Sequence, residues 1–241
     1  MNVVKTRGVY IVGTDTDVGK TVVGSCLARL LRNKGVDVGV FKPLESGCEK
    51  RGASLVPADA IKLMNAAAVE DRIEDACPFR LAAPIAPAVA ALMEGREIRA
   101  AEVLERFEHI AGKHEFTIVE AAGGLYVPAV FDAMNIDLVE MFHLPVLLVA
   151  RNRLGTINHT LLSLHLLQER AVRLAGVVLN RTTRDKGPDE DSNAQMISAN
   201  SSAVVWGVLP HLEKEQAIDY DLMAAALENA APGLAEYLLA Q

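Results

Sequence analysis

The sequence predicts an α/β fold in which helices cover both faces of a mostly parallel sheet. Short apolar runs typical of buried strands alternate with longer segments whose apolar residues recur at helical spacing. This alternation favours parallel strands joined by right-handed crossovers. A glycine-rich segment, residues 13–21, lies between the first apolar run and the first helical segment, and this order predicts a phosphate-binding loop. We therefore expect a P-loop-containing NTPase fold.

Length and composition favour one such domain spanning residues 1–241. Of the 241 residues, 51% are hydrophobic and 23% are charged, enough apolar side chain for a sizeable core. The net charge of −7 and the absence of basic blocks argue against nucleic acid or an anionic membrane as partners. The N-terminus leaves no room for a signal peptide, and no apolar run is long enough to span a bilayer. We expect a cytoplasmic protein.

In the first half of the chain, apolar periodicity predicts two strands and four helices around one long loop. Gly35 follows the first helix, where glycine often ends a helix in the left-handed conformation. The predicted strands are residues 9–12 and 38–41, the helices are 22–31, 59–67, a segment beginning near 86, and 98–111, and the loop is 44–57.

The second half repeats the alternation of strand and helix. The predicted strands are residues 116–119, 145–150, 175–179 and 204–208; the helices are 136–142, 156–170, one ending near 201, and one or two within 223–239; a polar loop covers 182–193. Ligands of such sheets bind at the carboxyl ends of the strands. Lys42, Glu120, residues 151–158 and Asn180 follow strands, so they should converge beside the loop after the first strand.

Residues 13–21 have the composition of a phosphate site. Backbone N–H groups in such a loop and at the following helix start form a cradle for phosphate oxygens. Lys20 would add a charge at the β- and γ-phosphates, and the Thr21 hydroxyl would reach Mg²⁺. Five residues separate Gly13 from Gly19, one more than in the strict pattern. A glycine turn with a solvated lysine is the alternative, which the flanking strand and helix disfavour.

The residues alone leave three side chains open to two interpretations. Glu120 is placed to supply an anionic oxygen beside Thr21, but it could instead cap the next turn. Asp59 at a helix start is equally consistent with an N-cap. Lys42 precedes Pro43, where a strand ends, and a solvated lysine would serve there as well as a site cation.

Six segments, in order from about residue 8 to 212, resemble motifs of the dethiobiotin synthetase family. They are residues 13–21 (GTDTDVGKT, including the longer loop), 42–47 (KPLESG), 120–124 (EAAGG), 154–160 (LGTINHT), 176–180 (GVVLN) and 207–210 (GVLP). Each motif alone is weak, whereas the ordered set is highly specific.

The resemblance implies an ATP- and Mg²⁺-dependent enzyme that closes a ureido ring on 7,8-diaminopelargonate with CO₂ (or bicarbonate as its source). The products would be dethiobiotin, ADP and phosphate. A substrate amine would form a carbamate, and its attack on the γ-phosphate would give a carbamic–phosphoric anhydride. The second amine would then displace phosphate. Such chemistry depends mainly on positioning and charge neutralisation. The family further implies a homodimer with the substrate site at the subunit interface.

Site residues follow from the same resemblance. Lys20 and Lys42 are the expected catalytic cations, Lys42 bridging carbamate and γ-phosphate, while Thr21, Asp59 and Glu120 are the expected Mg²⁺ ligands. The expected nucleotide-binding residues are Thr16, Asp17, Val18, Gly19, Lys20, Thr21, Asp59, Glu120, Ala121, Ala122, Gly123, Asn180 (at the adenine edge), Pro210, His211 and Leu212.

The expected substrate residues lie in two places. Ser46 would hydrogen-bond the substrate head. The helix start formed by Gly155, Thr156, Ile157 and Asn158, contributed by the second subunit, would receive the distal carboxylate. Free N–H groups at a helix start suit a carboxylate on physical grounds as well.

Two departures from the family pattern bear on activity. Ala121 replaces a glycine, which would cost about 1 kcal/mol or more if that position needed a positive φ. Residues 86–88 read Ala-Pro-Ala where the family usually has Ser-Pro-His, so two polar groups near the substrate cleft are lost.

Two other functional classes share part of this pattern. A partition- or positioning-type ATPase usually has an extra lysine early in the loop and a basic amphipathic tail, but residues 14–18 contain no lysine and residues 223–241 no Lys or Arg. A relative that has kept the ATP half while its substrate half has changed is motivated by residues 86–88. Lys42, Ser46 and residues 154–158 argue against it.

Overall fold

The computed structural model describes residues 6–213 and 216–241. Its strands are β1 (Gly8–Gly13), β2 (Val38–Phe41), β3 (Leu44–Glu45), β4 (Glu49–Arg51), β5 (Ser54–Val56), β6 (Phe79–Arg80), β7 (Phe116–Gly124), β8 (Pro128–Val130), β9 (Ala133–Met134), β10 (Val146–Arg151), β11 (Leu174–Asn180) and β12 (Val205–Leu209). Its helices are α1 (Lys20–Asn33), α2 (Ala58–Ala67), α3 (Ile73–Ala76), α4 (Pro87–Met93), α5 (Ala100–Ala111), α6 (Asn135–Phe142), α7 (Thr156–Glu169), α8 (Glu190–Ala199), α9 (Tyr220–Ala230) and α10 (Leu234–Leu239), with a 3₁₀ turn at Gln216–Ile218.

Six strands form one parallel sheet in the order β12-β11-β10-β1-β7-β2. In the five strands other than the edge strand β12, runs of Val, Ile and Leu are buried on both sides, as in sheets covered by helices on both faces. One core cluster lies against α1, α2, α9 and α10, and another lies against α4, α5 and α6. A third, smaller cluster joins α7 and α8 to β10 and β11. The predicted fold class is therefore confirmed.

The predicted strands of the main sheet match the structure to within a few residues, whereas short pairings inside predicted loops were missed. The loop expected at 44–57 contains β3 and the hairpin of β4 and β5. These strands have only two or three residues each, too few to show a period. The polar loop predicted at 182–193 was too long, because α8 already begins at Glu190.

The register between β1 and β7 places the carboxyl ends of these two strands side by side. Ile11 of β1 pairs with Glu120 of β7, and Gly13 lies opposite Gly124. Strand β7 extends through the EAAGG segment rather than ending before it, which brings that segment alongside the loop after β1. Within residues 6–213 and 216–241, no helix is long and apolar enough to cross a membrane.

Candidate active site

The loop after β1 curls through two residues with positive φ. Asp17 has a φ of 56° and Gly19 a φ of 96°, so the backbone turns sharply just before α1. The Lys20 side chain folds back over this loop, and its Nζ donates to the Asp15 carbonyl at 3.1 Å. Lys20 is buried, and burial is the main cause that lowers the pKa of its ammonium, partly opposed by the Glu120 carboxylate. The loop thus surrounds a charged amine that lies at the start of a helix.

The Glu120 side chain forms hydrogen bonds with one residue of α1 and one at the end of β2. Its Oε1 accepts a 2.9 Å hydrogen bond from the Thr21 hydroxyl and a 2.6 Å hydrogen bond from Lys42 Nζ. Glu120 therefore does not cap the next turn, which was the alternative left open. Lys42 is only 4% exposed, so it is not a solvated lysine either. The start of α1, the end of β2 and the middle of β7, which are far apart in sequence, meet at this carboxylate.

Asp59 completes this group from α2. Its Oδ2 lies 3.6 Å from Lys42 Nζ, and it is the second residue of the helix, so it does not act as the N-cap. Burial by itself would lower the pKa of Lys42, but the carboxylates of Glu120 and Asp59 outweigh that effect and raise it. Lys42 therefore carries a positive charge in a water-poor site, where charge interactions are strong.

The donor set beside Lys20 suits a hard cation. One hydroxyl and two carboxylates converge here, and oxygen ligands of this kind, together with phosphate oxygens, are what Mg²⁺ takes. Glu120 Oε2 is buried and has no hydrogen-bond partner among the residues that the structure describes. The described residues contain no cluster of three or more His, Cys, Asp or Glu that could hold a metal unaided. A metal here would need the oxygens of a bound nucleotide.

The EAAGG segment fits against the phosphate loop. Ala121 is buried in β7 without a positive φ, so the expected cost of alanine there does not arise. The left-handed residue is Gly123, with a φ of 80°, and a Cβ added there would lie 3.6 Å from Thr16 Oγ1. Asn135 donates from Nδ2 to the carbonyls of Ala122 and Gly124, both at 2.7 Å. The sequence did not predict a role for Asn135, because the carbonyls that it contacts are more than ten residues away in sequence.

Asn180 sits at the end of β11 directly beside the loop. Its Nδ2 donates to the Val18 carbonyl at 3.0 Å, and a Cβ on Gly19 would come within 1.9 Å of the same nitrogen. Asn180 pairs in register with Leu209 of β12, so the segment Pro210, His211 and Leu212 begins next to it. The residues expected to hold the base are thus neighbours at one corner of the sheet.

A second group of buried polar side chains, Asn152, Asn193 and Glu190, lies next to Asn180. The sequence analysis did not predict it. The backbone N–H of Asn152 donates to the backbone carbonyl of Asn180 at 2.8 Å. Asn193 Nδ2 donates to the side-chain oxygen Oδ1 of Asn152, also at 2.8 Å. Glu190 forms a 2.7 Å ion pair with Arg181. These side chains differ from other polar residues only in being buried. The sequence does not show whether a polar residue is buried.

The expected substrate residues are not all close together within one chain. Ser46 follows β3, four residues after Lys42 at the end of β2. Residues 155–158 begin α7 after β10, and β1 and β7 lie between β10 and β2. With neighbouring strands about 4.8 Å apart, the ends of β2 and β10 are about 14 Å apart. Gly155 and Asn158 are exposed.

Comparisons with known proteins identify the family of this chain. The family model AAA_26, described as an AAA domain, matches residues 7–218. The chain is 42% identical to the ATP-dependent dethiobiotin synthetase BioD of Anaeromyxobacter dehalogenans (strain 2CP-C), over 85% of this chain and 90% of that protein. It is 38% identical to the protein of the same name from Bacillus subtilis (strain 168), over 86% and 88%.

Solved structures resemble the fold. The septum site-determining protein MinD from Pyrococcus horikoshii OT3, complexed with Mg-ADP, superposes with a TM-score of 0.58, covering 97% of this chain and 94% of that one. At 16% sequence identity, this likeness shows the P-loop NTPase fold alone. The relatives with about 40% identity over most of both chains show more: the chain belongs to the ATP-dependent dethiobiotin synthetase family.

Proposed function

We propose that this protein forms dethiobiotin from 7,8-diaminopelargonate, CO₂ and ATP, releasing ADP and phosphate. The observation that carries the proposal is a group of four side chains beside the phosphate loop: the buried Lys42 and Glu120 with the half-buried Thr21 and Asp59. Nucleotide binding needs only the loop, whereas a buried, charged lysine at its open edge suits an enzyme that must neutralise charge developing on a transferred phosphoryl group.

The proposed reaction has three bond-forming steps. One amine of the substrate adds to CO₂ and loses a proton, giving a carbamate. A carbamate oxygen attacks the γ-phosphorus, and the bond to ADP breaks. The second amine attacks the carbamate carbon, which closes the ring and releases phosphate. Lys42 would face carbamate and γ-phosphate, Lys20 would hold the β- and γ-phosphates, and Ser46 would hydrogen-bond the amine-bearing end of the substrate.

Mg²⁺ is the cation that we assign to the oxygen donors of Thr21, Asp59 and Glu120. When bound, it would neutralise charge on the nucleotide phosphates and orient them. Lys42 Nζ pairs with Glu120 Oε1 and lies 3.6 Å from Asp59 Oδ2, so one side chain holds both carboxylates in a fixed group. The base would bind at Asn180 and residues 210–212.

The distal carboxylate of the substrate would bind at Gly155–Asn158 of a second subunit. The separation of the β2 and β10 ends, with the phosphate loop between them, supports a site shared between two chains. A homodimer would bring one chain's α7 start towards the Lys42 end of the other. Buried Thr156 at the first turn of α7 has a hydroxyl without a hydrogen-bond partner among the described residues, which fits a polar ligand there.

Phosphate release by the purified protein tests this function. It would be measured with ATP, Mg²⁺ and bicarbonate, with and without 7,8-diaminopelargonate, and the product mass would be determined. Release that needs the diamine, yields the mass of dethiobiotin and stops on chelation of Mg²⁺ is the expected result. ATP binding without any response to the diamine would contradict the proposal and favour a relative with a changed substrate, with Ala86 and Ala88 as the first residues to replace.

A further inference from the structure

Glu45 is a buried carboxylate with no role in the scheme above. It is 6% exposed and lies three residues after Lys42, next to Ser46. A buried carboxylate is costly unless its oxygens are paired, so its partners show what it does in this fold.

Both oxygens of Glu45 accept hydrogen bonds from the start of α2. Oε1 accepts from the amide of Asp59 and Oε2 from the amide of Ala60, each at 3.0 Å. The residue before the helix is Pro57, whose side chain has no acceptor to offer these first-turn N–H groups. A carboxylate at a helix start is also favoured by the helix dipole. Glu45 therefore supplies the helix cap from a different segment of the chain.

The backbone around Glu45 is itself anchored. Its carbonyl accepts from the amide of Leu81 at 2.8 Å, as part of the pairing of β3 with β6. The Lys42 amide donates to the Ala76 carbonyl at 2.8 Å. The segment from Lys42 to Glu45 is thus held at both ends, and the Glu45 side chain links it to α2.

This link acts on two members of the proposed site. Asp59 donates its backbone amide to Glu45, and its carboxylate lies 3.6 Å from Lys42 Nζ. If the start of α2 shifted, the Asp59 carboxylate would shift with it. We propose that Glu45 is a positioning residue that holds Asp59 at the distance from Lys42 and Glu120 needed to bind Mg²⁺ with the nucleotide. The inference rests on the function proposed above.

The test is Glu45→Gln, which keeps the size of the side chain. The glutamine oxygen can accept one of the two N–H groups, but its own amide would face the other. We expect the Mg²⁺ concentration for half-maximal diamine-dependent turnover to rise about tenfold, with metal-free ADP affinity unchanged. Calorimetry of ADP binding across a Mg²⁺ series gives the same shift without any turnover. Glu49→Gln is the matched control, because Glu49 is exposed and its carboxylate pairs with Arg51.

A cap that serves stability alone would lower the unfolding midpoint of Glu45→Gln without changing the Mg²⁺ dependence of ADP binding, and that result would overturn the inference. If Glu45→Gln does not fold, Glu45→Asp keeps the charge on a shorter side chain, and the same titration applies. Wild-type protein that binds Mg-ADP but shows no diamine-dependent turnover would refute the proposed function. The calorimetric series would still decide the role of Glu45.

Discussion

Lys42 and Glu120 form a 2.6 Å ion pair in which both side chains are buried, at the junction of β2 and β7. Their separation in sequence is large, and the pairing of neighbouring strands brings them together. Within this ion pair each charge compensates the other. A phosphorylated ligand would give Lys42 a second set of anionic partners beside Glu120.

Lys42→Ala should separate binding from turnover. Lys42 would act on charge that develops during transfer, so we expect turnover to fall about 100- to 1,000-fold while MgATP affinity changes little. The change also leaves Glu120 buried without its ion-pair partner, which should lower the free energy of unfolding by about 3–5 kcal/mol. Steady-state kinetics, ATP calorimetry and denaturant unfolding measure the three effects.

Lys62→Ala is the control for that change, since Lys62 is largely exposed and lies 3.9 Å from Asp59. It should leave turnover and stability close to wild type. Equal losses of MgATP affinity and turnover in Lys42→Ala would contradict the assignment of Lys42 as a cation that acts in the transition state.

Gly19→Ala should weaken ATP binding by displacing Asn180. A Cβ at residue 19 would lie 1.9 Å from Asn180 Nδ2, and the φ of 96° already disfavours alanine. Gly35→Ala separates the two causes, because Gly35 also has a positive φ but no atom within 4 Å of its added Cβ. Both variants should lose about 1 kcal/mol of stability from the backbone. Only Gly19→Ala should also lose ATP affinity in calorimetry, and similar affinities in the two would argue against this packing.

Nucleotide binding should take up protons at alkaline pH. Burial lowers the pKa of Lys20 from the ordinary 10.5, while bound phosphate would favour the charged amine and raise the pKa again. Affinity for MgATP is therefore full below the lowered pKa of the free protein, and it falls as pH rises through that value towards 10.5. Calorimetry in buffers of different ionisation enthalpy measures the uptake.

Lys20→Arg should abolish this proton uptake, because a guanidinium stays protonated throughout the range. Lys42 should not contribute, since the carboxylates around it keep its pKa above its usual value. An affinity that stays constant up to pH 10.5 in the wild-type protein would rule out a lowered pKa at Lys20.

A shared site predicts complementation between two inactive variants. Lys42→Ala removes the cation at one end, and Asn158→Asp places a carboxylate at the exposed start of α7, where it should repel the substrate carboxylate. In a 1:1 mixture of exchanging homodimers, half the dimers would be mixed, and each mixed dimer would have one intact site. Roughly a quarter of wild-type turnover should return. If each site lies within one chain, mixing restores nothing.

Much of the fold could be predicted from sequence because local patterns carry it. The main strands are long apolar runs, and the alternation with helices dictates parallel pairing. The phosphate loop has a recognisable order of strand, glycine-rich loop and helix. The short pairings β3–β6 and β4–β5 could not be predicted, since strands of two or three residues have no measurable period.

The family, the phosphate loop and the residue types available to the site can be identified from sequence, because contiguous motifs encode them. The partners of each polar side chain depend on how the chain packs in three dimensions. The sequence is consistent with Asp59 as an N-cap, whereas in the structure Glu45 accepts the N–H groups at that helix start. The sequence is equally consistent with a solvated Lys42, whereas in the structure Lys42 forms a buried ion pair with Glu120. Burial and long-range partners set these roles, and neither is a property of local sequence.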